Sequence, residues 1–354
     1  MRGLAAIGHE VLFLEREQSW YANNRDLPVV TYGHVHQYGT FSELKNRFAR
    51  QIRDADLVIL GSYVPEGIEL ARWITSVARG IVAFYDIDTP VTIAKMAAGQ
   101  CDYISRELVP RFDLYLSFTG GPLLRRIEKE FGARRAVPLY CSVDPLQYFP
   151  QKAMPCWDLG YMGTYSDDRQ PLLEQLLLHP ARRWTKGKMV VAGPQYPPDI
   201  RWPENVQRII HLAPADHRRF YAQQRFTLNI TRSEMRRTGY SPSVRLFEAA
   251  ACATPIISDQ WRGLSDFFQP GKEVLTVRSG KDVLAYLHDL PEEKRIEIGL
   301  NARRRVMRQH TAMHRANELH SCVSKLLGHG TAKASAGELT AQADPLRPLS
   351  LASG

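Results

Sequence analysis

The stretch Ser241-Pro-Ser-Val-Arg-Leu-Phe-Glu-Ala-Ala-Ala-Cys-Ala-Thr-Pro-Ile-Ile-Ser-Asp259 constrains this chain most, because it reads as a capped helix followed at once by a buried strand. Ser241 suits the N-cap, and Pro242 suits the first helical position, where its missing N–H costs nothing. Such a helix offers free backbone donors and the positive end of its dipole to an anion in front of it. Arg245 and Glu248 lie three residues apart and share one face, while Leu246, Phe247, Ala250 and Ala251 suit packing against a sheet. A diphosphate near Arg245 and a hydroxylated group near Glu248 fit that geometry. Thr254-Pro255 ends the helix, since proline disfavours helical backbone in the residue before it, and Ile256-Ile257 follows as a short buried strand. An ordinary α/β packing unit with a capped helix has the same spacing, so the pattern alone leaves both readings open.

The rest of the chain repeats the alternation. Met1 to Ile7 reads as the tail of a helix, Gly8-His9 as a turn and Val11 to Leu14 as a strand, so the chain enters a β-α-β unit at its helix and its first strand is expected to be missing. Strands are expected at Leu57–Leu60, Ile81–Tyr85, Leu114–Ser117 and Val137–Tyr140, with helices over Phe41–Arg53, Pro65–Ala78 and from Gly121-Pro122 to Phe131. Val143-Asp144-Pro145, Phe149-Pro150 and Pro155 mark a linker. Strands near Leu159–Met162, Met189–Ala192, Phe226–Ile230, Pro255–Ser258 and Val274–Val277 then build a second unit of the same kind. Alternation of this sort builds parallel sheets, and 354 residues suit two domains of common size. The expected division is residues 1–150, residues 151–327, and a disordered tail over 328–354 that is rich in Ala, Gly, Ser, Thr and Pro.

The net charge of +9 is compatible with nucleic acid, an anionic membrane face or an anionic small-molecule substrate. Its arginine pairs are dispersed along the chain and accompany no nucleic-acid module, so no nucleic acid is expected, and peripheral membrane contact is a secondary expectation. Five widely spaced cysteines with no Cys-x-x-Cys pair disfavour a disulfide framework and a zinc site. No secretory h-region opens the chain and no run approaches the apolar length of a membrane helix, which points to the cytoplasm.

Residues 239–277, with Gly160-Tyr-Met-Gly-Thr-Tyr-Ser-Asp-Asp-Arg169, Arg225-Phe-Thr-Leu-Asn-Ile-Thr-Arg232 and more weakly Tyr85-Asp-Ile-Asp-Thr-Pro90, resemble the spore maturation protein CgeB-like glycosyltransferases. The resemblance covers most of residues 1–325. It implies an α/β GT-B architecture: two Rossmann-like domains with parallel sheets facing a cleft, acceptor side first and nucleotide-sugar side second. It also implies transfer of a sugar from a nucleoside diphosphate sugar, a co-substrate rather than a cofactor, to a hydroxyl on a glycan, protein or small molecule. By the same resemblance His211 and Leu212 lie where backbone groups meet the nucleotide base, and Glu248 accepts hydrogen bonds from the ribose diol. Many retaining relatives carry a second glutamate eight positions before this one, where the chain has Tyr240, so retention does not follow from the motif.

Ligands of open parallel sheets sit beyond the carboxyl ends of the strands. Gly163, Thr164 and Tyr165 follow one such strand, with Ser166 as a helix cap, and Gly193 follows the next. A routine turn fits each loop as well. Arg232, Arg236 and Arg237 follow the strand ending at Ile230 and suit a diphosphate by bidentate contacts, with a solvated basic loop as the competing reading. Tyr240, Ser241, Ser243 and Arg245 complete the expected donor site. Asp86 and Asp88, after the strand ending at Tyr85, are the expected general bases should the acceptor need one. The Asp-x-Asp pair lies far in sequence from the diphosphate site, so no metal is expected there. His34 and His36 are placed in a polar loop. Two alternatives stand beside the transferase: a noncatalytic sugar-nucleotide or glycan-binding protein with a degenerate acceptor domain, and a GT-B epimerase or phosphorylase.

Overall fold

The computed structural model describes residues 1–18 and 30–340. The first part contains α1 (Arg2–Ala6), β1 (Leu12–Arg16), β2 (His34–Tyr38), α2 (Phe41–Asp54), β3 (Leu57–Gly61), α3 (Gly67–Val77), β4 (Ile81–Asp86), α4 (Thr89–Ala97), β5 (Leu114–Ser117), α5 (Pro122–Phe131) and β6 (Ala136–Pro138). All of its strand pairs are parallel: β1 pairs with β2, and β3, β4, β5 and β6 form a second sheet in that order. His34 and His36 therefore stand on a strand rather than in a loop; their alternation with Val35 and Gln37 suits an exposed strand as well as a polar turn.

The second part runs β7 (Trp157–Met162), α6 (Gln170–Leu173), a π-helical turn at Glu174–Leu178, α7 (His179–Arg183), β8 (Met189–Ala192), β9 (Val206–Ile209), α8 (Pro214–Ala222), β10 (Gln224–Asn229), α9 (Ser233–Thr238), α10 (Val244–Ala251), β11 (Ile256–Asp259), α11 (Leu264–Phe267), β12 (Leu275–Val277), α12 (Gly280–Asp289), α13 (Glu292–Gln309) and α14 (Ala312–Thr340). Its six strands are ordered β12-β11-β10-β7-β8-β9, all parallel. β8, β11 and most of β4 and β5 are wholly buried, as strands covered by helices on both faces must be. β9, at the sheet edge, where Val206 alone of its four residues is buried, was not among the expected strands.

Helix α14 returns to the first sheet: Leu319 and Val323 pack with Ile81, Ala83, Leu114, Leu116 and Leu139, and Leu4 lies against the same cluster. The expected second-domain span thus includes a segment, from Ala312 onward, that buries its apolar face on the first domain. The helix continues to Thr340 through the start of the expected tail; residues 341–354 lie outside those described. No helix among the described residues is long and apolar enough to cross a membrane.

Candidate functional site at the domain cleft

In the second sheet the chain returns to the centre after β9, so the connections after β7 and β10 leave on opposite sides and the carboxyl ends of these two strands flank a crevice. Gly163 begins the loop after β7. Its N–H donates to Ala192 O at 2.8 Å, and the Tyr165 N–H donates to Pro194 O at 3.0 Å, tying this loop to the one after β8. A Cβ on Gly193 would stand 2.6 Å from Gly163 C, and Gly193 has φ +143°, so the two loops meet this closely only with glycine there.

Two guanidinium groups straddle Gly163. Arg245, from α10, donates through Nε to Met162 O at 2.6 Å and through Nη1 to Ser243 Oγ at 3.1 Å. Arg169 donates through Nη2 to Thr164 O at 2.8 Å, while its Nε is buried without a hydrogen-bond partner among the described residues. Burial first, then the positive charges of Arg245 and Arg232, hold Arg169 below the usual arginine range. Arg169 was absent from the residues singled out by sequence, although it closes the 160–169 segment that carried the family resemblance.

Helix α10 is capped by Ser243, whose Oγ accepts from Arg245 N at 3.3 Å, and not by Ser241 as the spacing suggested. Ser241, 3% exposed, is engaged elsewhere: its hydroxyl lies 2.6 Å from Thr119 Oγ1 on the first domain. Gly120 N donates to Tyr240 O at 2.9 Å, and Cys141 Sγ donates to Pro242 O at 3.3 Å. Residues 240–242 are therefore a seam between the domains. Tyr240 itself has φ +54°, and its ring fits between Gly121 of the first domain and Gly263 of the second; a Cβ on either glycine would stand 2.8 Å or less from ring carbons. Glu248 is buried and accepts from Tyr221 OH at 3.1 Å instead of pairing with Arg245, because the Arg245 side chain is drawn to the end of β7.

Arg232 follows β10 and reaches in two directions. Its Nη1 lies 3.3 Å from Asp88 Oδ2 across the cleft, and its Nε lies 3.7 Å from Asp168 Oδ2. Asp168 also accepts from Ser233 N at 3.0 Å, and the Ser166 hydroxyl donates to Asp168 rather than capping a helix; α6 starts from Arg169. Arg236 and Arg237 are exposed on α9, with Arg237 paired to Glu234. His211 is exposed and Leu212 half-buried beyond β9, where Leu212 packs against the cluster of Val190, Ala192 and Phe220.

The two acidic candidates separate sharply. Asp86 is wholly enclosed: Tyr115 OH donates to Oδ2 at 2.5 Å, and Thr92 Oγ1 and Asp88 N donate to Oδ1 at 2.8 and 3.1 Å. Desolvation pushes its carboxyl up to about 6, against the pull of those donors. No acceptor hydroxyl can reach it, so Asp86 is not placed as a base. Asp88 lies on the cleft wall at the N-terminus of α4, with Tyr63 OH donating to Oδ2 at 2.9 Å. Tyr63 has φ +64°, is 42% exposed and borders the same opening. Among the described residues no three His, Cys, Asp or Glu side chains converge as a metal ligand set.

Residues 169–321, which include the crevice lining from Arg169 to Glu248, match the model of a family described as glycosyl transferase-like. Sucrose-phosphate synthase from Thermosynechococcus elongatus superposes with a TM-score of 0.64 at 12% identity, over 93% of this chain and 92% of that one. HepE from Anabaena, solved with UDP and glucose, gives 0.62 at 12% identity over 83% and 86% of the two chains. An α-glucosyltransferase solved with UDP-glucose and DNA containing an abasic site gives 0.65 at 10% identity over 89% and 91%. The fold is GT-B. No curated protein matches the chain. In this GT-B frame the crevice between β7 and β10 opens toward the first domain, and Arg232 and Asp88 face each other across it.

Proposed function

We propose that the chain transfers a sugar from a nucleoside diphosphate sugar, held by the second domain, to a hydroxyl acceptor entering from the first. The observation that carries this reading is the convergence at the switch point: Arg169 and Arg245 straddle Gly163 while Arg232 approaches from β10. Three guanidinium groups beside a partly buried crevice supply positive charge that offsets the negative charge a leaving diphosphate develops. The glycosyl transferase-like match over residues 169–321 and the GT-B fold support the same reaction class.

In this reading the acceptor oxygen bonds to the anomeric carbon as the carbon–oxygen bond to the diphosphate breaks. The diphosphate oxygen keeps the bonding electron pair, its negative charge stabilised by the arginines, and Asp88 accepts the hydroxyl proton. Glu248, positioned by Tyr221, meets the nucleotide ribose from α10. Because arginines neutralise the diphosphate, we propose turnover without a divalent ion. The CgeB-like kinship is supported by the 239–277 motif, and a cytoplasmic setting by five free cysteines. The deciding experiment is calorimetric titration with UDP, GDP, CDP and dTDP and their sugar conjugates, using wild type and Arg245→Ala. Binding of one nucleotide family that is lost in the folded variant supports the donor site. Binding with no transfer to any hydroxyl acceptor leaves the noncatalytic alternative.

A further inference from the structure

Arg232 is shared between two carboxylates that differ in how firmly they are held. Asp168 belongs to the same domain and is fixed by Ser233 N at 3.0 Å and by the Ser166 hydroxyl. Asp88 belongs to the opposite wall, and beyond Arg232 its side chain receives the Tyr63 hydroxyl at 2.9 Å. The Arg232–Asp88 pair is partly shielded, with side chains 32% and 21% exposed, and links residues 144 apart in sequence.

A nucleotide diphosphate entering between β7 and β10 needs the Arg232 guanidinium and repels a carboxylate beside it. It cannot dislodge Asp168 without undoing the start of α9. It can displace Asp88, whose remaining partner lies on its own domain. We propose that Arg232 and Asp88 form a donor-operated latch: the diphosphate draws Arg232 away from Asp88, and the freed carboxylate then receives the acceptor hydroxyl. This rests on the donor reading above. It makes Asp88 a competitor of the diphosphate as well as a partner of the acceptor, so donor binding strengthens acceptor binding and, by linkage, the reverse.

The latch has a counterintuitive signature. Removing the Asp88 charge abolishes its service to the acceptor yet tightens UDP. Asp88→Asn lowers the UDP dissociation constant about three- to tenfold by calorimetry, as expected for releasing a partly shielded ion pair. In an Arg232→Gln background the same substitution changes UDP affinity less than about twofold, because the competition is gone. Asp88→Ala gives the same direction, so a folding defect of one variant does not decide the matter. UDP binding by wild type that is unchanged or weakened in both Asp88 variants overturns the latch and leaves the donor site standing. Equal tightening with and without Arg232 also overturns it, since general repulsion would then suffice. Failure of wild type to bind UDP, GDP, CDP and dTDP overturns the donor reading and the latch together.

Discussion

Gly121→Ala tests whether the Tyr240 seam holds the two domains in their cleft-forming arrangement. Gly121 has φ +67° and ψ −152°, a region open essentially to glycine alone, so alanine there costs about 1–3 kcal/mol in backbone strain. The new Cβ would also stand 2.7 Å from Tyr240 Cγ and 2.8 Å from Cε2. The ring has little room to retreat, because Gly263 backs its other face so closely that a Cβ there would stand 2.8 Å from Tyr240 Cγ, and such overpacking costs about 1–3 kcal/mol more. The sum is about 2–6 kcal/mol. In a Tyr240→Ala background the steric part vanishes and only the backbone part remains, so the double-mutant cycle returns a coupling of about 1–3 kcal/mol. Urea unfolding of the four proteins, followed by tryptophan fluorescence, measures it. A coupling below about 0.5 kcal/mol, or a Gly121→Ala protein as stable as wild type, refutes the claim that the ring is clamped between the domains.

Other predictions concern the buried acids and the cleft. The native carboxyl of Asp86 titrates at about 6, above the roughly 3.9 of an unfolded aspartate, so its favourable contribution is complete below the unfolded value and lost as pH rises through about 6. Relative to Asp86→Asn, wild type should lose about 2 kcal/mol of stability between pH 4 and pH 7, read from urea midpoints; a pH-independent difference contradicts the burial of this carboxyl. Arg245→Ala should weaken UDP about 10- to 100-fold in calorimetry while leaving a folded protein, whereas Arg237→Ala, on exposed α9, should change it less than about twofold. Turnover measured after dialysis against EDTA should stay within about twofold of the untreated enzyme, the arginines serving the diphosphate; a large loss restored by Mg²⁺ or Mn²⁺ would count against that role.

Much of the architecture was legible because it rests on local periodicity. Strand and helix alternate from Leu57 to Val277, and the strands expected at β3, β4, β5, β7, β8, β10 and β11 appear within a residue or two of their expected bounds. The loops after β7 and β10 were legible too, since parallel sheets place ligands at strand ends, and Gly163, Thr164, Arg232 and Arg245 do lie around that crevice. The edge strand β9 and helix α4 were not read, because short elements at a sheet edge or after an Asp-x-Asp-Thr-Pro turn carry weak patterns.

What sequence by itself determined was the alternation, the positions where the chain must turn, and a capped helix beginning between Ser241 and Arg245. What only the tertiary structure decided was how each polar side chain is used. Ser241 and Ser243 are equally good caps in isolation, and the choice falls to Ser243 because Thr119, 122 residues away, takes the Ser241 hydroxyl. Asp86 and Asp88 are two residues apart, yet the strand points one into the core and the helix start leaves the other on the cleft wall. Arg245 turns from its helix neighbour Glu248 to a carbonyl of β7, and Arg232 pairs with Asp88 of the other domain as well as with Asp168 of its own. Local propensity acts over a few residues, whereas burial and charge pairing are settled by groups that folding alone brings together.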